Sequence, residues 1–162
     1  MQNLTTFLDN HALDPSACAL IWPSKGIRYS YAELLDRVQR LASSLSERGI
    51  SKGDRVCIYL DSCPEYLVSY FALWRIGALA VPANIVLREG ELGYLIGNSG
   101  ARGIICSPEG RSVVEKVRSS VPSIDLVTCT GDPGEGMLSW DVLMEKDPLF
   151  RQGVPCGFDD PC

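Results

Sequence analysis

Apolar positions in this chain alternate between short runs and stretches of helical period, and the densest region is Arg55–Ile85. Arg55–Leu60 carries Val56, Ile58 and Tyr59, residues that suit a pleated, packed surface, and predicts a strand. Pro64 falls where the first helical residue belongs; its fixed φ suits that place and its missing N–H costs nothing there. From Tyr66 to Ile76 only Ser69 and Arg75 are clearly polar, so the helix predicted here is apolar almost all round. Such a helix is buried on more than one side. Gly77 supplies the left-handed position that ends it, and Ala78–Pro82 reads as the next strand. Two strands joined through a helix are parallel, with a right-handed crossover.

The rest of the chain follows the same grammar. Leu4–Ala12 predicts a short amphipathic helix, with Asn3 or Thr5 as its cap. Ala17–Trp22 and Ile27–Tyr31, joined by the turn residues Pro23-Ser-Lys-Gly26, predict a β-hairpin. Ser30 with Glu33 is a capping box, and the helix it opens runs to about Arg48. Its apolar stripe is Leu34, Val38, Leu41 and Leu45, with Ser44 among the polar positions outside it. Glu33–Arg37 and Asp36–Arg40 are spaced for ion pairs. Gly49 stops the helix and Gly53-Asp54 turns the chain. Beyond Asn84 a helix is expected over about Arg88–Gly97, held by packing because its glycines weaken it. Then come a strand at Gly103–Cys106, a helix from Pro108 or Glu109 with Val113, Val114 and Val117 inward, and a strand at Ile124–Cys129. A loop at Asp132–Gly136 leads to a short helix, Ser139–Glu145, capped by Ser139. From Asp147 the prolines, glycines and paired aspartates read as a connector. The fold class is α/β: a mainly parallel sheet of about four strands, built from βα units, with an N-terminal β-hairpin.

At 162 residues the chain has room for one domain with a real core. Its net charge of −5, without a basic block, argues against a nucleic-acid partner. No apolar run reaches membrane-spanning length. The N-terminal stretch lacks the basic start and long apolar segment of a signal peptide, so a cytoplasmic protein is expected. The seven cysteines show no C-x-x-C pair, and the one histidine, His11, stands far from most of them, which disfavours a zinc site or a disulfide framework. Cys18, Cys57, Cys106 and Cys129 fall in predicted strands, where a free thiol behaves as a small buried hydrophobe.

Four local arrangements could carry chemistry. Cys106 ends a strand and Arg111 stands near the start of a helix, the layout of a cysteine-dependent phosphatase. Four residues separate them where such enzymes have five, and Glu109 sits where a phosphate would. Asp61 stands at the carboxyl end of a parallel strand, where open α/β sheets bind ligands; the other strand ends lack the acidic pair and lysine of a phosphoacceptor site, so a helix-capping or turn role is the favoured reading. Cys63 lies next to a helix N-terminus, whose dipole can lower a thiol pKa, yet with no His nearby in sequence a plain helix-entry residue is the favoured reading. Thr130-Gly131-Asp132 gains interest only from a family resemblance.

Taken together, Tyr29–Leu34, Leu41-Ala42 with Leu45, Gly49–Val56, Leu60–Tyr66, Gly77–Asn84, Glu91-Leu92 and Asp159-Asp160-Pro161 resemble, in order and spacing, the N-terminal part of AMP-forming acyl-CoA synthetases of the adenylate-forming superfamily. Ser62 stands where that family usually has Asn. The resemblance implies the large N-terminal domain of the acyl-CoA synthetase fold, with residues 1–147 as part of it and 148–162 as a connector toward a phosphate loop. It implies ATP, Mg²⁺ and coenzyme A as cofactors of a parent ligase in acyl (fatty-acid type) metabolism, a carboxylic acid as substrate, and the rest of the parent chain as partner. It places no catalytic, cofactor-binding or metal-binding residue on this chain, which is expected to be inactive by itself. Thr130-Gly131-Asp132 spells the family's ribose motif but stands too early, and Pro23–Gly26 is a hairpin turn, not a phosphate loop. The missing remainder would also cover the apolar helix at Tyr66–Ile76, and without it self-association is expected. The alternatives are a self-contained flavodoxin-like binding or signalling domain and a cysteine-dependent phosphatase using Cys106 and Arg111.

Overall fold

A computed structural model describes residues 3–11, 14 and 16–161. Its elements are α1 (Thr6–His11), β1 (Cys18–Trp22), β2 (Ile27–Ser30), α2 (Tyr31–Glu47), β3 (Arg55–Tyr59), α3 (Pro64–Arg75), β4 (Leu79–Pro82), α4 (Glu89–Ser99), β5 (Gly103–Cys106), α5 (Arg111–Ser120), β6 (Leu126–Cys129), β7 (Leu138–Ser139) and α6 (Trp140–Met144). The end of the first predicted helix, Ala12, lies outside the described residues, as does Cys162.

β1 and β2 form the expected hairpin, turning through Gly26 at φ 65°. The other strands make one parallel sheet in the order β4-β3-β5-β6-β7. Every side chain of β5 and β6 is buried, because successive residues point to opposite faces and both faces are covered. Val56, Ile58, Ile105 and Leu126 meet α2, α3 and α6 on one face. Cys57, Tyr59, Ile104, Cys106 and Val127 meet α4 and α5 on the other. The step from β3 to β4 runs one way along the sheet, and the step from β4 to β5 runs back across β3. A crossover of fixed hand that reverses direction must change face, so α3 and α4 lie on opposite sides of the sheet.

Local signals act as the sequence implies at several points. The Ser30–Glu33 capping box is complete, Pro64 is the first residue of α3, and Gly77 follows that helix at φ 74°. Ser139 caps α6 by accepting from the Asp141 N–H.

Four expectations need correction. The sheet has five strands rather than about four, because Leu138–Ser139 pairs in parallel with Thr128–Cys129; a two-residue strand is too short to show alternation. α5 starts at Arg111, since Ser107–Gly110 first closes a turn in which the Gly110 N–H donates to the Ser107 carbonyl (3.1 Å). Ser44 is not on the polar side of α2: it is fully buried and donates to the Leu143 carbonyl at 2.7 Å, because α6 packs there. Asp36 and Arg40 do pair, at 2.7 Å. Glu33 and Arg37 do not: the Glu33 carboxylate is held by Ser30, and the Arg37 guanidinium lies 4.1 Å from the Tyr29 ring centroid.

The over-apolar helix α3 solves its packing in an unexpected way. Beyond Glu65 its two polar residues, Ser69 and Arg75, are fully buried together with Val68, Ala72 and Leu73, while Tyr66, Tyr70, Phe71 and Trp74 are half-buried. Ser69 donates to the Glu65 carbonyl one turn back. Arg75 donates through Nε to the Phe150 carbonyl (2.8 Å) and through Nη2 to Asp9 Oδ1 (2.7 Å) and the Arg151 carbonyl (2.8 Å). Its own carbonyl accepts from the Val154 N–H. The Asn3 amide ties the Trp74 and Val154 carbonyls together, and Lys52 pairs with Asp160 at 2.6 Å. The segment after Asp147 is therefore laid across the C-terminal end of α3.

A candidate site at the strand ends

The chain leaves β3 for α3 on one face and β4 for α4 on the other, and a crevice lies at the carboxyl ends of these two neighbouring strands. Open α/β sheets bind ligands in such crevices. Here it has a volume of about 370 Å³ and is lined by Leu60, Asp61, Ser62 and Tyr66 on one side and Pro82–Ile85 on the other.

Each wall is built by local chemistry. After β3 the Ser62 N–H turns back to donate to Asp61 Oδ1 at 2.8 Å. Pro64 then starts α3, and Tyr66 sits in its first turn with its hydroxyl 3.4 Å from that of Tyr70. Burial pushes the Tyr70 phenol up, and the Tyr66 hydroxyl adds to it. After β4, Asn84 Oδ1 accepts from the Val86 N–H at 3.1 Å. Tyr59, buried at the end of β3, donates toward the carbonyls of Ile85 (2.9 Å) and Leu87 (2.6 Å) and holds the loop down. Its pKa is raised, by burial first and by neighbouring Cys57 and Cys106 next. Gly110 backs onto this ring: a Cβ there would lie 2.6 Å from Tyr59 Cε1.

Among the lining residues Asp61 is the one charged side chain. A pocket with a carboxylate, two hydroxyls (Ser62 and Tyr66) and an amide, but no cation, does not neutralise phosphates.

The sequence candidates sort as follows. Asp61 does line the crevice, and its bond to Ser62 is the turn role that competed with a site role. Cys106 is completely buried, and burial, with Cys129 beside it, pushes its thiol up. Arg111 is engaged with Asp132 at 3.2 Å. A shielded, protonated thiol is no nucleophile, so the phosphatase reading is withdrawn. Cys63 precedes α3 as a half-buried helix-entry residue; burial outweighs its backbone hydrogen bonds and pushes its thiol up to about 11. Thr130-Gly131-Asp132 ties strand ends together: the Thr130 N–H donates to the Cys106 carbonyl at 2.9 Å, and Asp132 holds Arg111. Among the described residues no group of three His, Cys, Asp or Glu side chains could hold a metal ion. Tyr59, Tyr66 and Asn84 carry no site motif of their own in the sequence. The available signal was that the Leu60–Tyr66 and Gly77–Asn84 runs end two strands that proved to be neighbours.

Residues 7–160 match the family model described as AMP-binding enzyme. The chain belongs to that family. It is 34% identical over 150 residues to a crotonobetaine/carnitine–CoA ligase of Escherichia coli O1:K1, covering 88% of this chain and 29% of that protein. It is 29% identical over 167 residues to the long-chain-fatty-acid–CoA ligase FadD13 of Mycobacterium tuberculosis, covering 99% of this chain and 31% of the relative. The chain thus spans under a third of the length of these curated relatives. Among solved structures, the anthranilate CoA ligase AuaEII in complex with anthranoyl-AMP superposes on 98% of this chain and 30% of its own with a TM-score of 0.90 at 21% identity. The N-terminal domain of FACL13 from M. tuberculosis superposes on 99% of this chain and 40% of its own, with a TM-score of 0.85 at 24% identity. These likenesses bear out the α/β fold expected of an acyl-CoA ligase N-terminal domain. No helix among the described residues is long and apolar enough to cross a membrane.

Proposed function

We propose that this chain is the N-terminal portion of an AMP-forming acyl-CoA synthetase. The parent would join a carboxylic acid to ATP, releasing pyrophosphate and leaving an acyl-adenylate. The thiol of coenzyme A would then displace AMP and leave the thioester. The observation that carries this reading is the family match along residues 7–160, with CoA ligases as the curated relatives.

The chain's own residues supply scaffold rather than chemistry. A nucleoside triphosphate with its magnesium ion needs converging backbone N–H groups and cations. The crevice presents one carboxylate, two hydroxyls and an amide instead. The residues present do not fit ATP–Mg²⁺, and no step is routed through them. The family's activity then belongs to the whole ligase, in which residues 1–147 form part of the N-terminal domain and 148–162 lead toward the phosphate-binding loop.

Carboxylate-dependent ATP–pyrophosphate exchange tests both halves of this reading. The purified chain is expected to give none, and a protein of the relatives' length that begins with this chain is expected to give it. Exchange by the chain alone overturns the scaffold role; its absence from the longer protein across short, long and aromatic acids overturns the ligase assignment.

A further inference from the structure

Cys57, Cys106 and Cys129 lie in the core on one face of the parallel sheet, under α4 and α5. Two of them are direct neighbours. Cys106 is the last residue of β5 and Cys129 the last of β6, and the parallel register makes them partners. Residues so paired project to the same face. Adjacent strands lie about 4.8 Å apart, inside the roughly 4.4–6.8 Å Cα separation that a disulfide spans. The Cys129 side chain also acts on the Cys106 thiol directly, by charge and by hydrogen bonding.

The register singles out this pair. Cys57 on β3 is the partner of Ile104, two residues short of Cys106. Two residues add about 6.6 Å along the strand, so the diagonal from Cys57 to Cys106 is roughly 8 Å, beyond the reach of about 7 Å that a bridge allows. Cys57 and Cys129 stand two strands apart. The half-buried Cys18, Cys63 and Cys156 belong to the hairpin, the entry of α3 and the segment after Asp147.

Burial decides what chemistry the pair can do. Neither thiol meets solvent in the closed fold, so bulky substrates and reagents are shut out. Both sulfurs, however, sit where regular pairing ends: Ser107–Gly110 closes a turn straight after β5, and Thr130-Gly131-Asp132 follows β6. Local opening begins at such ends, and hydrogen peroxide, little larger than water, needs only a small one. A sulfenic acid formed on either sulfur then has the other thiol beside it, while soluble thiols stay outside. Burial and register together direct the second step within the pair.

We propose that Cys106 and Cys129 are a redox pair that hydrogen peroxide closes to a reversible cross-strand disulfide. One sulfur, as thiolate, attacks a peroxide oxygen; the O–O bond breaks, and a sulfenic acid and, after protonation, water result. The second sulfur attacks the sulfenic sulfur; the S–S bond forms, the S–O bond breaks, and the hydroxyl leaves as water with the second thiol's proton. In sum two thiols and one peroxide give one disulfide and two waters, sulfur being oxidised and peroxide oxygen reduced. Bridged Cβ atoms stand about 3.8 Å apart, closer than the strand spacing, so closure draws the two strand ends together and leaves a bond that thiols reduce readily. The two exits feel this, because Gly131 packs on Pro108 without room for a Cβ and Asp132 holds Arg111. The pair stands on the fold alone and does not draw on the ligase reading.

The test treats the folded chain with hydrogen peroxide, blocks the remaining thiols in denaturant, digests with trypsin and reads the peptides by mass spectrometry. Cleavage after Arg102, Arg111, Arg118 and Lys146 puts Cys106 in peptide 103–111 and Cys129 in peptide 119–146, each without another cysteine. The linked pair of these peptides is expected to be about tenfold more abundant than any other cysteine link, and dithiothreitol added to the folded chain is expected to remove it. Cys57→Ser is expected to keep the link and Cys129→Ser to abolish it; the measurement on the unaltered chain stands even where a variant fails to fold. Cys106 linked to Cys57, free Cys106 and Cys129 after Cys63 is fully oxidised, sulfinic acid at Cys106 in place of the link, a link that forms only in urea, or one that survives dithiothreitol each overturns the proposal. None of these results touches the pyrophosphate-exchange assay, so failure of the redox pair and failure of the ligase reading remain distinguishable.

Discussion

Asp9→Leu and Arg75→Met cut the same ion pair from its two sides, and the structure orders their costs. Arg75 is fully buried and has one carboxylate partner, Asp9, whose own side chain is 30% exposed. Its Nη1 has no partner among the described atoms, so the guanidinium is already incompletely satisfied. Removing Asp9 leaves a buried positive charge facing only the Phe150 and Arg151 carbonyls. Breaking a buried pair in this way costs on the order of 3–5 kcal/mol. Removing Arg75 instead leaves a carboxylate that water reaches, plus carbonyls at the connector, and methionine refills much of the volume. After discounting for the exposure of Asp9, that change costs about 2–3 kcal/mol. Urea unfolding followed by tryptophan fluorescence measures both, and with a slope of about 1–3 kcal/mol per molar the midpoints should separate clearly. The double variant carries the sharper expectation: once Asp9 is gone, Arg75→Met removes an uncompensated charge and should restore stability. Additive losses in the double variant, or Arg75→Met proving the costlier single change, would refute the picture of a buried cation clamped by α1 and the connector.

Gly110→Ala should destabilise by about 1–3 kcal/mol, because its Cβ would meet the Tyr59 ring at 2.6 Å with Ile85 close behind; thermal melting with an unchanged midpoint would show that the ring yields freely. Maleimide labelling read by mass spectrometry should leave Cys57, Cys106 and Cys129 unmodified in the folded chain while half-buried Cys63 reacts. With its thiol pushed up to about 11, the Cys63 rate should keep rising about tenfold per pH unit between pH 8 and 10, whereas a rate that levels off near an ordinary thiol pKa of about 8.5 would contradict the burial. The uncovered β4 edge and the half-buried aromatic side chains of α3 should make the chain self-associate weakly as concentration rises, and light scattering that gives a clean monomer throughout would argue against an open face.

Much of the framework was legible because it depends on neighbours in sequence. The Ser30–Glu33 box, Pro64 at the start of α3 and Gly77 at its end are each satisfied within one turn of chain, and the structure contains them as the residues imply. Strand identity in Arg55–Tyr59 and Gly103–Cys106 followed from short β-branched runs, and the ordered motifs between Tyr29 and Asn84 marked the family. The crevice was half legible. Asp61 was placed at a strand end correctly, but nothing local indicated that Asn84 would stand across from it.

What escaped the sequence involved partners remote along the chain. Ser44 and Arg75 look like surface residues by type, yet each is buried because a segment about 75 to 100 residues away brings it a carbonyl, and Asp9 brings Arg75 its charge. β7 exists only because β6 offers an edge to two residues that have no strand signal of their own. Local backbone preferences and side-chain period are properties of a few consecutive residues, so the sequence by itself determined the elements, the parallel α/β class and the family. Which polar side chain goes inside, which strand ends meet, and which edge stays open depend on free energies shared between distant segments, and only the tertiary structure decided those.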